Sequence, residues 1–351
     1  MRIVIVTLYN SINSGSYLQA YSLKTYLESL GYDVFFFKNK ARKPFLDLFF
    51  VILKSIVLFK FKNANFAYKK YRKFKKNQKV FKITSRINRE DIVIYGSDEI
   101  WNIKRDNIKK YEYFFGNPAY NSLSFSPSIN RSTKDDFANY PQLVENLKSI
   151  KFVSVRDYHS KKELEPLLSK NIQVTTDPTM LINFKKEGVS KNVNNIIKEK
   201  YILLYSYPNH FKNIQIESLR SFAENNNLKI VSSNHLFDWC DESIPTSPFE
   251  LLELFKNAEY VVTDTFHGTV FSLLFKKKFV TYASDNIKIH ELVKQFGCEC
   301  TIIKTNSDFK ELIKNQLDYE QISGKIKEKS HASQKFLKES LGALLNEKNI
   351  I

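Results

Sequence analysis

Glycine is scarce in this chain: nine residues in 351, where average usage would give about 25. Lysine, asparagine, isoleucine, phenylalanine and tyrosine are abundant instead. This balance follows AT-rich coding, so part of the lysine excess carries no functional information. Cysteine is also sparse. Cys240, Cys298 and Cys300 are odd in number, and their spacing fits neither a disulfide framework nor a zinc site. A reducing cytoplasm is therefore the expected compartment. A spanning helix is not expected, because the most apolar stretch, 44–61, is interrupted by Asp47, Lys54 and Lys60 and falls short of the roughly 20 residues required. The opening MRIVIVTLYN reads as a strand and lacks the apolar region and cleavage site of a signal peptide. There is no internal repeat, no low-complexity tract and no ligand cluster that calls for a metal.

What is present is enough apolar surface for a sizeable core, with 43% hydrophobic residues. The length fits two domains of ordinary size. The net charge of +17 is concentrated: residues 38–82 hold fifteen Lys/Arg against the single acid Asp47. That segment contributes +14 and leaves +3 for the rest, so the basicity needs a local explanation.

Apolar periodicity gives an α/β chain in two lobes with a cleft between them. Strands are expected at Arg2–Thr7, Asp33–Phe37, Ile92–Tyr95, Ser122–Ser126, Phe152–Val155 and Ile172–Thr175, with a helix over Tyr17–Leu30. Alternation of this kind argues for a parallel sheet. The first lobe spans 1–184 with a basic helical insertion at 44–80, and a polar linker covers 185–200. A second lobe at 201–306 repeats the rhythm, and a helical tail follows at 307–351.

Ligands bind parallel sheets at the carboxyl ends of strands, and four segments stand there. The polar loop Asn10–Ser16, with Asn13, suits an anion or a sugar hydroxyl, or is simply a capped turn. In Gly96-Ser97-Asp98-Glu99-Ile100-Trp101-Asn102, Asp98 or Glu99 suits a general base toward a hydroxyl. Trp101 suits stacking on a sugar ring, or belongs to the core. Arg156 ends a strand and suits a carboxylate or phosphate; its alternative is an ion pair with Asp157 or Asp177. In Thr263-Asp264-Thr265-Phe266-His267-Gly268-Thr269 a helix is expected to open at Gly268, presenting free backbone amides beside His267. Lys288 follows the next strand and, by itself, reads as a solvated lysine.

Together and in this order, these segments resemble the polysaccharide pyruvyl transferase family over roughly residues 1–298. The resemblance rests on Gly15–Tyr21, Gly96–Asn102, Ser154–Asp157, Asp177–Thr179 and Thr263–Ser272. It implies a GT-B-like fold of two Rossmann-like lobes, phosphoenolpyruvate as donor and a pyruvate ketal on a sugar as product. The family's basic functional positions match Arg156, His267 and Lys288: donor contacts are then implied from Arg156 and Lys288, with Gly268 and Thr269 at the phosphate helix, and a catalytic role for His267, which donates the proton or stabilises the departing phosphate. Acceptor contacts then fall to Asn13, Ser97, Trp101 and Asn102, with the donor mainly on the second lobe and the acceptor on the first. Many relatives carry glutamine where this chain has Glu99. No metal or separate cofactor is implied.

Two other readings compete. A GT-B glycosyltransferase using a nucleotide sugar shares the lobes and the phosphate helix. A nucleic-acid-binding module would use the basic-aromatic stretch 62–82. For the insertion itself, one expectation is a helix packed on the sheet edge with lysines of 69–79 as its solvated partner. The other is peripheral contact with the inner face of the cytoplasmic membrane. In that case Phe45, Leu46, Phe49, Phe50, Leu53, Val57 and Leu58 enter the interface, and Lys69, Lys70, Arg72, Lys73, Lys75 and Lys76 meet headgroups.

Overall fold

The computed structural model describes residues 1–40, 44–184, 197–208, 213–233, 235–283, 286–303, 309, 313 and 316–348. The linker expected over 185–200 falls outside these residues as far as position 196, and so does most of the expected start of the tail.

Two five-stranded parallel sheets form the frame. The first runs β3-β2-β1-β4-β5, from β1 (Arg2–Val6), β2 (Asp33–Phe37), β3 (Ile83–Thr84), β4 (Ile92–Tyr95) and β5 (Asn121–Ser124). The short pair β6 (Ser154–Val155) and β7 (Gln173–Val174) extends it through a bridge between Leu123 and Phe152. The second sheet runs β10-β9-β8-β11-β12, from β8 (Tyr201–Tyr205), β9 (Lys229–Ser232), β10 (Glu242–Ser243), β11 (Tyr260–Thr263) and β12 (Lys278–Thr281). The central strands are buried on both faces, which is why they read as unbroken β-branched and apolar runs. In register, Ile3 faces Ile92 and Ile5 faces Ile94; Val261 faces Leu203 and Phe279.

The same strand order in both sheets sets a switch point beside β1 in the first and beside β8 in the second. There the crevice at the carboxyl ends opens. The helix α1 (Ser14–Ser29) leaves β1 at that point, capped by the Asn13 side chain, which accepts from the amides of Gly15 (2.9 Å) and Ser16 (3.2 Å). Its aromatic face joins the lobes. Tyr17 and Tyr21 meet the edge of Phe249 in the second lobe at 5.9 and 5.0 Å. One buried apolar cluster accordingly runs through both lobes, from Ile3 and Ile5 to Leu203 and Val261.

The insertion folds as α2 (Pro44–Val57) and α3 (Phe61–Asn77), two helices lying against each other. Phe74 of α3 is fully buried against Tyr17, and the Tyr17 hydroxyl donates to Asn77 O at 3.0 Å. Packing α2 on the sheet edge is not what the chain does: α2 lies on α3 and leaves most of its apolar side chains in solvent.

The C-terminal helix Tyr319–Lys348 crosses back over the first lobe. Ile322, Leu337, Leu341 and Leu344 enter the shared core. Ser333 accepts from the Thr176 amide at 2.9 Å, Ser330 donates to Met180 O at 2.9 Å, and Gln334 donates to Leu181 O at 3.2 Å.

Candidate functional site

A polar cleft of about 220 Å³ lies where the carboxyl ends of the two sheets face each other. Most wall residues come from the loops that follow strands or from the first turns of the helices those loops lead into. Ser11 and Asn13 follow β1, Asp98 and Glu99 follow β4, and Arg156 follows β6. From the second lobe, Tyr207 follows β8, Asp264–His267 follow β11, and Asn286 and Lys288 follow β12.

The cations of this cleft are held by carboxylates, and two of these contacts, His267 with Asp177 and Lys288 with Glu99, cross between the lobes. Arg156 Nη1 lies 3.2 Å from Asp177 Oδ2, with both side chains almost entirely buried. The guanidinium also stacks over the Phe266 ring at 4.4 Å, while its Nε has no hydrogen-bond partner. His267 Nε2 lies 3.3 Å from the same Asp177 oxygen, off the line of a hydrogen bond. Burial alone would raise the Asp177 carboxyl, but His267 and Arg156 hold it well below the usual range.

Glu99 is the second hub. It pairs with Lys288, lies 3.7 Å from Arg105 Nη1, and accepts from Asn130 Nδ2 at 2.9 Å. Burial opposes its charge, yet Lys288 and the neighbouring arginines bring it down to about 2 from an ordinary 4.5. The depressed value means that Glu99 stabilises the fold above about pH 4.5 and loses that contribution as pH falls toward about 2.

Asp98 differs from its neighbour. Its Oδ1 accepts from the Glu99 amide at 2.8 Å, and its buried Oδ2 has no hydrogen-bond partner. The residue sits at φ 79°, left-handed backbone that aspartate and asparagine tolerate better than most side chains. Opposite, Gly15 touches the imidazole: a Cβ there would overlap the His267 ring. The first turn of α1 and the helix after β11 can approach this closely only because position 15 carries no side chain.

Asn13, Asp98, Glu99, Arg156, His267 and Lys288 thus come together at the cleft. Five other expected residues do not line it. Trp101 needs correction most plainly: its ring is fully buried in the first lobe, and Nε1 donates to Phe114 O at 2.9 Å. No face is left to stack on a sugar. Ser97 is fully buried and bonds to Gln19. Asn102 stands behind Glu99 and accepts from the Lys104 amide at 3.2 Å. Thr269 is buried, with its hydroxyl donated to Thr265 O at 3.1 Å. The Gly268 amide does not point into the cleft free; it donates to the Thr265 hydroxyl at 2.9 Å, because the helix starts two residues earlier than expected and spans Phe266–Leu274. The amides of Phe266 and His267 then head the helix, where no intrahelical partner is within reach.

Sequence reasoning missed Arg105, Tyr207, Asp264 and Asn286 as wall residues. Asp264 and Tyr207 had a legible signal, since both follow the central strands of the second lobe directly. Asp264 accepts from the Tyr207 amide at 3.2 Å. Arg156 of the first lobe stacks on Phe266 of the second, so the wall of the cleft is shared between the lobes at this point. Among the described residues, no group of three or more His, Cys, Asp or Glu is placed to hold a metal ion.

A family model described as polysaccharide pyruvyl transferase matches residues 13–286. No curated protein sequence matches the chain. Among solved structures, the chain is similar to the UDP-GlcNAc 2-epimerase of Neisseria meningitidis, with 11% identity, a TM-score of 0.54, and coverage of 97% of this chain and 99% of that one. It is similar to the α,α-trehalose 6-phosphate synthase of Burkholderia multivorans with 8% identity, a TM-score of 0.54, and coverage of 99% and 98%. At these identities the likeness concerns the fold: two Rossmann-like lobes in the GT-B arrangement.

Proposed function

The chain belongs to the polysaccharide pyruvyl transferase family, and from that premise we propose that it moves the pyruvyl group of phosphoenolpyruvate onto two hydroxyls of a saccharide as a ketal. The observation that carries this reading is the convergence of Arg156, His267 and Lys288 on one polar cleft. Phosphoenolpyruvate brings a phosphate and a carboxylate within a few bonds of each other and needs cations from more than one direction.

The reaction balances without a further reagent. One sugar oxygen adds to C2 while C3 gains a proton. Phosphate leaves, and a second sugar oxygen closes the ketal. Of the two hydroxyl protons, one is made up at C3 and the other leaves with phosphate. In this scheme Arg156 and Lys288 hold the donor's anions, and the first turn of the Phe266–Leu274 helix faces the phosphate. His267 delivers the proton to C3.

The two carboxylates divide their roles. Glu99 is too acidic, and too well occupied, to accept a proton from a hydroxyl. It holds Lys288 until the donor's anions take the lysine over. Asp98 has the oxygen without a partner and is the base.

A test follows directly. Asp98→Asn, which keeps the backbone tolerant of its positive φ, should lower turnover by about 10²-fold. Glu99→Gln should keep turnover within a few-fold and lower the KM for phosphoenolpyruvate, because Lys288 is released. Equal losses of turnover in both variants would reverse the assignment. The reaction itself is tested by phosphate release from phosphoenolpyruvate with candidate polymers or lipid-linked sugars. If UDP- or GDP-sugars protect the protein against proteolysis and phosphoenolpyruvate does not, the glycosyltransferase reading replaces this one.

A further inference from the structure

The insertion carries surface that the chemistry of the cleft does not use. Among its described side chains, α2 buries only Leu48 and Ser55. Of the seventeen large apolar side chains exposed among the described residues, ten lie between Leu46 and Phe61. Phe50 is 62% exposed, Val57 67%, Phe59 82% and Phe61 61%. Scattered exposed apolar residues need no explanation, whereas a contiguous group of this kind marks an interaction site. Lysines are interleaved with it. In Phe59-Lys60-Phe61-Lys62, at the turn between α2 and α3, all four side chains are exposed.

We propose that the α2–α3 hairpin docks the protein on an anionic lipid bilayer, with α2 and the turn entering the acyl boundary and the basic face of α3 meeting headgroups. The charge selects this occupant. Residues 44–80 carry ten Lys/Arg and one acid. A second copy of the chain would set two such segments against each other. A nucleic acid would satisfy the lysines and leave Phe50 and Val57 in water. A bilayer with anionic headgroups offers both phases at once. No described helix is long and apolar enough to cross a membrane, so the contact is peripheral.

The structure also trims the set of contacts. Lys70 is buried, and Lys73 is paired with Glu250 at 2.8 Å. Neither is placed to meet headgroups, whereas Lys69, Arg72, Lys75 and Lys76 are exposed.

The surface leads toward the cleft. An apolar groove of about 320 Å³ runs under α2, walled by Leu48, Val51, Phe66, Ile12 and Pro208. Ile12 lies between Ser11 and Asn13, and Pro208 follows Tyr207, all three of them wall residues of the cleft. An apolar chain rising from a bilayer would meet the polar cleft at the end of this groove.

Vesicle flotation tests the proposal. The protein should float with vesicles of phosphatidylglycerol and phosphatidylcholine at low salt, release at high salt, and ignore phosphatidylcholine alone. Two variant sets should each lower the bound fraction at least about tenfold: Phe49→Ser with Phe50→Ser and Phe59→Ser, and Lys69→Gln with Arg72→Gln, Lys75→Gln and Lys76→Gln. These side chains are exposed, so circular dichroism should be unchanged. Failure to float at low salt overturns the proposal. So does flotation indifferent to both sets, tighter binding to a random oligonucleotide than to vesicles, or self-association abolished by the phenylalanine set. Docking stands apart from the donor assignment: a protein that floats but releases no phosphate from phosphoenolpyruvate keeps the surface and loses the reaction.

Discussion

Replacing His267 with alanine should lower turnover by about 10²-fold or more, the range for losing a positioned proton donor. Folding should survive, because Asp177 keeps Arg156 as its partner. The imidazole meets the first lobe on two sides, with Asp177 at 3.3 Å on one and Gly15 on the other. The same geometry predicts that Gly15→Ala lowers turnover comparably without touching any charge, since a methyl there displaces the ring from the donor. Steady-state rates of phosphate release, with circular dichroism as a folding control, check both. Wild-type turnover in His267→Ala would remove the histidine from the chemistry.

Arg156→Lys should fail to restore what Arg156→Ala removes. In Arg156→Ala, Asp177 stays buried without its guanidinium, and breaking a buried pair from one side costs about 3–5 kcal/mol. That variant should unfold at markedly lower denaturant and bind no donor. Lysine returns a charge but not the planar fork, and it loses the stack over Phe266. Its fold should recover in part, while KM for phosphoenolpyruvate should stay raised by about 10²-fold, the equivalent of about 3 kcal/mol. Urea titration and donor saturation curves separate the two effects. Near-normal KM in Arg156→Lys would show that charge alone suffices.

Much of this architecture was legible in the sequence because parallel strands buried on both faces announce themselves as apolar runs. The runs that became β1, β2, β4 and β5 lie where the pattern set them. So do the loops behind them, hence the place of Asp98, Glu99, Arg156, His267 and Lys288 at one cleft. What the pattern could not supply was the direction of side chains within a turn. Ile100, Trp101 and Ile103 all turn into the first-lobe core, and nothing in GSDEIWN distinguishes an indole facing a sugar from one facing Phe114. The start of the His267 helix is hidden for a related reason: Thr263, Thr265 and Gly268 all suit a helix start, and it is the Thr265 hydroxyl that accepts from the Gly268 amide. The cross-lobe pairing of Lys288 with Glu99 spans 189 residues, beyond any local signal.

The C-terminal helix has a consequence for the order in which the protein takes shape on the ribosome. Thr176 and Met180, on either side of Asp177, are covered by Ser333 and Ser330. Those serines are made roughly 150 residues later, and at about 5–20 residues per second the delay is about ten to thirty seconds. The second sheet, complete by Thr281, has all its strands in hand before the first lobe receives its last buttress. The lobe synthesised first is therefore finished last, and the buried ion pair beneath the cleft is among the final parts to be sealed from water.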